Sequence, residues 1–185
     1  ALPESVNCYV LETKTLLSKV NIIGAKQVEA QPNSYQIAVV LPKSVYILTR
    51  RTVTDWSISN SFDTDDIDTN IAFDGETLVV AYPKIELINI YTRVNCLWLT
   101  QLQLFSMPCK TVQLEKDLIV TGDSTQNTAT ILSKTSYECW GQANKQLIKS
   151  SQIVDFGYSI SIANKTVVIG SPFGGYVEVF KLETT

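Results

Sequence analysis

The chain has 185 residues, of which 45% are hydrophobic and 18% charged, values ordinary for one folded soluble domain able to bury a core. A formal charge of −3 and a pI near 5 provide no broad basic field, which argues against nucleic acid as a partner. No run approaches eighteen apolar residues, so no membrane insertion is expected. The first residue is Ala1 rather than Met, with no basic and apolar leader, which reads as a processed product or an excised domain.

Taken in chain order, residues 8 to 20 (CYVLETKTLLSKV) read as one strand that stands apart from the rest of the chain. A weak segment, Ile22 to Glu29, then precedes three stronger ones. Tyr35 to Leu41 is apolar and β-branched and ends at Pro42, Ser44 to Leu48 alternates, and Thr52 to Phe62 carries Trp56. The same four-part unit returns as Asp68 to Phe73, Glu76 to Tyr82 before Pro83, Leu87 to Tyr91, and Asn95 to Phe105 around Trp98. It returns again as Thr111 to Glu115, Asp117 to Thr121, Thr128 to Leu132, and Tyr137 to Ile148 around Trp140. The three tryptophans are spaced by 42 residues, and Tyr46, Ile88 and Thr130 each lie ten residues before their tryptophan. A fourth copy runs Phe156 to Ala163, a turn at Asn164-Lys165, Thr166 to Pro172, Gly174-Gly175, and Tyr176 to Leu182, and then stops one strand short.

A strand-built period of 40 to 50 residues is the signature of propeller blades. The expected fold is therefore all-β: a small propeller of about four four-stranded antiparallel blades forming a single domain over 1–185. The blades are placed at 22–62, 68–105, 111–148 and 156–182. The incomplete fourth blade would leave an open apolar edge, which the segment 8–20 is placed to close as the missing strand.

Phe156-Gly157, then Gly170-Ser171-Pro172 after a short hairpin, then the aromatic YVEVF strand, resemble the FG-GAP repeat of integrin-α-like β-propellers. In the earlier copies the second motif is replaced by Val40-Leu41-Pro42, Ala81-Tyr82-Pro83 and Thr121-Gly122-Asp123, and the F-G pair is absent. Gly170 and Pro172 suit a crowded strand end where a side chain or a ladder N–H would be out of place. Gly174-Gly175 suits a hairpin turn that needs positive φ. A residue recurring at one blade position, like the tryptophans, reads as packing rather than as a stacking platform for a ligand.

The resemblance raises calcium, because blades of that family often carry an acidic hairpin loop. The corresponding turns here, Pro32-Asn33-Ser34, Phe73-Asp74-Gly75-Glu76 and Ala163-Asn164-Lys165, are too short or too poor in oxygen ligands. The acidic run Asp63, Asp65, Asp66 and Asp68 lacks the turn glycine and trailing Glu of a calcium loop and reads as a solvated connection. No metal site, cofactor site or catalytic residue is assigned. With no histidine there is no Ser-His-Asp or Cys-His pair, no carboxylates are specified as facing one another, and no phosphate-binding glycine loop follows a strand. The chain is accordingly expected not to be an enzyme.

Cys8, Cys96, Cys109 and Cys139 leave both disulfides and buried thiols open, with Cys96 and Cys109 the easiest pair. Asn164-Lys165-Thr166 is the one glycosylation sequon and tilts toward secretion. The preferred function is a structural or protein-interaction module on an extracellular, cell or virion surface, docking a protein partner or larger assembly through blade faces and loops. The alternative is a lectin-like, carbohydrate-binding propeller. The loops Thr52 to Asp55, Arg93 to Asn95 and Thr135 to Glu138 share polarity but no side-chain set, which favours one asymmetric partner over several identical ligands.

Overall fold

The computed structural model describes residues 5–10, 15–30, 35–52, 54–64, 68–134, 140–149 and 154–182. They form seventeen antiparallel strands, and the chain divides into two compact units, residues 1–69 and 70–185.

The first unit opens with a hairpin of β1 (Ser5–Val10) and β2 (Thr15–Asn21), a two-stranded sheet of its own. The segment 8–20 is thus not one spare strand but parts of two, paired from Ser5 with Asn21 to Val10 with Thr15. A four-stranded sheet comes next, in the order β3 (Gln27–Ala30), β4 (Gln36–Leu41), β5 (Ser44–Arg50), β6 (Trp56–Asp63). Val6, Ile22, Ala25, Ile37, Val39 and Leu48 make one apolar cluster, with Val20, Leu41 and Trp56 packed on it.

The second unit holds three sheets. The first contains β7 (Asn70–Phe73), β8 (Thr77–Tyr82), β9 (Leu87–Val94) and β10 (Leu97–Leu104) in sequential order, with a single 3₁₀ turn at Pro83–Ile85. The next contains β11 (Thr111–Glu115), β12 (Leu118–Asp123), β13 (Thr128–Lys134) and β14 (Trp140–Lys149). The last has three strands, β15 (Ser159–Ala163), β16 (Thr166–Ser171) and β17 (Tyr176–Lys181).

The second strand of each four-stranded sheet explains the continuous apolar runs in the sequence. Every residue of β8 is buried, as is all of β4 except Leu41 and all of β12 except Leu118. A strand covered on both faces needs no polar side. Around β12 the two coverings are visible. Ile119, with Leu132 and Trp140, packs against Ala81, Ile88, Ile90 and Leu104 of the preceding sheet. Val120, with Ala129 and Ile131, packs against Phe156, Val167 and Ile169 of the last.

The tryptophan repeat has a structural basis. Trp56, Trp98 and Trp140 occupy one position, at or next to the start of the outermost strand, each directly opposite a basic residue: Arg50, Arg93 and Lys134. The register slips farther along each of these strand pairs, by one residue in β5–β6 and β9–β10 and by three in β13–β14, so the outer strand carries the extra residues every time. Trp140 is buried in the apolar cluster with the Lys134 ammonium 5.3 Å from its ring centroid. Trp98 is half-buried, its ring 6.0 Å from that of buried Phe73. These are packing positions, as their recurrence implied.

Candidate functional site

The residues that carried the resemblance lie where the last two sheets meet. Phe156 is buried in the cluster between them, and Gly157 has φ +90°. The Gly157 carbonyl accepts a hydrogen bond from Thr111 Oγ1 at 3.2 Å. A Cβ on Gly122 would overlap that same carbonyl, and a Cβ on Gly157 would overlap the carbonyl of Thr128. Ser171, itself buried, donates from Oγ to the Val154 carbonyl, so the G-S-P segment is tied to the loop carrying the F-G pair. The two motifs thus form one junction of fixed geometry rather than a ligand site. Gly170 differs from expectation: the group that approaches it is the Ser159 side chain, not a backbone. Gly175 has φ +68° and closes the turn to β17 by donating its N–H to Pro172 O at 3.3 Å.

Among the described residues the acidic positions do not gather into a cation site. Asp65 and Asp66 lie outside the described residues, while Asp63 ends β6 and Asp68 is exposed. The Asp74 carboxylate is used by its own turn, accepting the N–H of Glu76 at 2.9 Å and of Thr77 at 2.6 Å. Burial nevertheless pushes its pKa up from the usual 3.8, against those two hydrogen bonds and the Lys134 charge, which pull it down. Asp123 is buried, 3.5 Å from Lys110 Nζ, and its Oδ1 accepts Thr125 N–H at 2.9 Å. Among the described residues no group of three or more metal-ligating side chains forms.

The expected Cys96–Cys109 pairing is not formed, and both are free thiols. Cys96 is exposed in the β9–β10 turn at φ 68°, whereas Cys109 is buried past the far end of β10, its thiol 3.6 Å from Leu87 O. Eight residues of strand intervene, about 26 Å of chain, against the about 7 Å that bounds Cα separation in a disulfide. Flanking a strand places two residues at its opposite ends, which is the wrong geometry for a bridge. Cys139 and the Cys8 side chain lie outside the described residues.

The second unit does present an apolar face on its last sheet. One side of that sheet, Ile160, Ile162, Val167, Ile169 and Phe180, joins the cluster with the β11–β14 sheet. The other side carries Ser159, Gly170 and Val177 in one cross-strand row and Ser161, Val168 and Val179 in the next. Val177 and Val179 are 66% and 64% exposed, and Phe173 in the preceding turn is 81% exposed. Exposed β-branched residues at i and i+2 of a strand whose neighbour lies on one side only are the arrangement that marks association surfaces. Alternation within YVEVF signals the strand in the sequence. It does not say which of its faces lacks a partner.

No family model matches the chain, and no curated protein matches it. Solved structures do. The chain superposes on Hsv2 of Kluyveromyces marxianus with a TM-score of 0.71 at 14% identity, over 96% of this chain and 55% of that one. Hsv2 of Kluyveromyces lactis gives 0.73 at 13% identity, over 97% and 55%. A protein of Desulfotomaculum acetoxidans gives 0.71 at 11% identity, over 98% and 59%. The Hsv2 structures are of the propeller type, so the present chain has a propeller-like all-β fold of antiparallel sheets. The chain spans little more than half the length of these structures.

Proposed function

We propose that the chain is a non-catalytic module that docks a protein partner or a larger assembly at an extracellular or particle surface, as a diverged member of the FG-GAP propeller family. The observation that carries this reading is the exposed apolar face of the last sheet, built on Val177 and Val179 and rimmed by serines. A repeated frame whose turns differ in every copy supports a single asymmetric partner. The finer architecture belongs to the same proposal: the sheets are blades of one small ring of about four, with an N-terminal strand serving as the fourth strand of the last blade. Three strands in the last sheet and β-structure at the N-terminus are the support for it.

The test is a Val177→Lys, Val179→Lys double variant carried in the native assembly. Loss of the co-purifying protein with unchanged thermal melting supports docking through this face. Unaltered association overturns it, and a defined sugar on a glycan array, lost on loop mutation with no protein partner recovered, establishes the carbohydrate-binding alternative instead.

A further inference from the structure

Two hairpin turns, distant in the sequence, stand side by side in the second unit because β11 packs beside β15. Between the β11–β12 turn (Lys116-Asp117) and the β15–β16 turn (Asn164-Lys165) lies a pocket of about 300 Å³. Glu115, Lys116, Asp117, Leu118, Asn164 and Lys165 line it.

The charges there are not equivalent. Glu115 Oε1 accepts the backbone N–H of Asn164 at 3.0 Å, which clamps one turn to the other. Asp117 Oδ1 lies 3.5 Å from Lys134 Nζ, and that ammonium is held in turn over the Trp140 ring. Both carboxylates are therefore committed to groups of the protein. Lys116 and Lys165 form no ion pair among the described residues. The lining itself carries two ammonium groups and two carboxylates, and with both carboxylates committed the two lysines are the charges left without an ion-pair partner among the described residues.

The backbone adds an independent observation. Lys116, Asn164 and Lys165 have φ of 50°, 50° and 60°, the left-handed region that long side chains seldom occupy and where glycine costs nothing. Such φ values belong to the tight hairpin turns themselves, as at Asn95 and Cys96, and here they fix the two turns that bound the pocket.

We propose that this pocket binds a small oxyanion, a carboxylate or phosphate group, between the ammonium groups of Lys116 and Lys165. Leu118 supplies the apolar wall that such sites pair with a few polar groups. The site is separate from the apolar face of the last sheet and does not depend on the docking reading.

Amide NMR titrations of the full chain at constant ionic strength test it, using inorganic phosphate, acetate, and a capped aspartyl peptide, with chloride as the control. Saturable shifts confined to the amides of Lys116, Asp117, Asn164 and Lys165 are expected. They should weaken by about tenfold when both lysines are replaced by Met. Tighter binding of phosphate than of the peptide identifies a phosphate-bearing ligand, and the reverse order identifies a partner's acidic side chain. Shifts reproduced by chloride, no saturable shift, or equal binding by the Lys116→Met, Lys165→Met variant with an otherwise unchanged spectrum would overturn the proposal.

Discussion

Gly157→Ala and Gly175→Ala form a matched pair that tests the junction of the last two sheets. Both glycines have positive φ, +90° and +68°, so an alanine at either pays the left-handed penalty of about 1–2 kcal/mol. At Gly175 nothing lies within 4 Å of the added carbon, so that penalty is the whole effect. At Gly157 the carbon would overlap the Thr128 carbonyl oxygen and come within 3.0 Å of the Asp123 nitrogen and 3.3 Å of the Gly122 Cα. All three are backbone atoms that cannot swing aside, and forced overpacking costs about 1–3 kcal/mol more. The expected losses are therefore about 1–2 kcal/mol for Gly175→Ala and about 2–5 kcal/mol for Gly157→Ala. Urea unfolding followed by tryptophan fluorescence measures both, and unchanged m-values license the comparison. Equal losses for the two variants would refute the close approach, since the backbone term alone would then account for both.

Trp140→Ala should cost about 3–5 kcal/mol because the ring is buried in the cluster, and Trp98→Ala should cost less because that indole is half-buried; thermal melts that reverse the order contradict the assignment. In the native protein iodoacetamide should label Cys96 and spare Cys109, and a Cys96–Cys109 cross-linked peptide in unreduced protein would contradict the separation across β10. Asp74 has a folded-state pKa raised by burial, so its ionisation opposes folding: its contribution is fully present below about pH 4 and is lost as pH rises through the raised value. Asp74→Asn keeps the turn acceptor without the charge, so its stability relative to wild type should increase across that window, whereas Asp74→Ala should lose about 1–2 kcal/mol below it with the two turn hydrogen bonds, a loss that shrinks as pH rises through the same window. A pH-independent difference between wild type and the Asn variant would remove the burial argument.

The repeat was legible because it is written in features with a short-range cause. The tryptophan spacing, an apolar run for a doubly covered strand and a Pro after β4 and β8 each recur in phase, so the four-stranded unit could be read directly. The break in 8–20 was not legible, because Leu11-Glu12-Thr13-Lys14 contains no Gly, Pro, Asn or Asp, the residues that announce a turn. The pocket was hidden although the turn at Asn164-Lys165 was read, because the proximity of Lys116 and Lys165 arises only when two sheets stack. Val177 and Val179 resemble every other alternating strand until the coverage of each face is known.

The same stacking rule that builds the core determines where function has room. A sheet in the position of β11 to β14 has a neighbour on each face, and its side chains are spent on apolar clusters in both directions. Its turns are then freer to vary than its inner strands, and the charged pocket lies at such a turn. The sheet of β15 to β17 keeps one packed face and one face of serines and exposed valines, so there the strand residues themselves are free to diverge. Substitutions should sort accordingly. In β12 a change such as Ile119→Ala or Val120→Ala costs stability by about 1–5 kcal/mol whichever face it lies on. In β17, Val179→Ser should leave stability within about 0.5 kcal/mol, because the exposed side chain contributes little to the core. A large loss from Val179→Ser would mean that this face is covered within the protein itself, and the docking reading would fail at its first step.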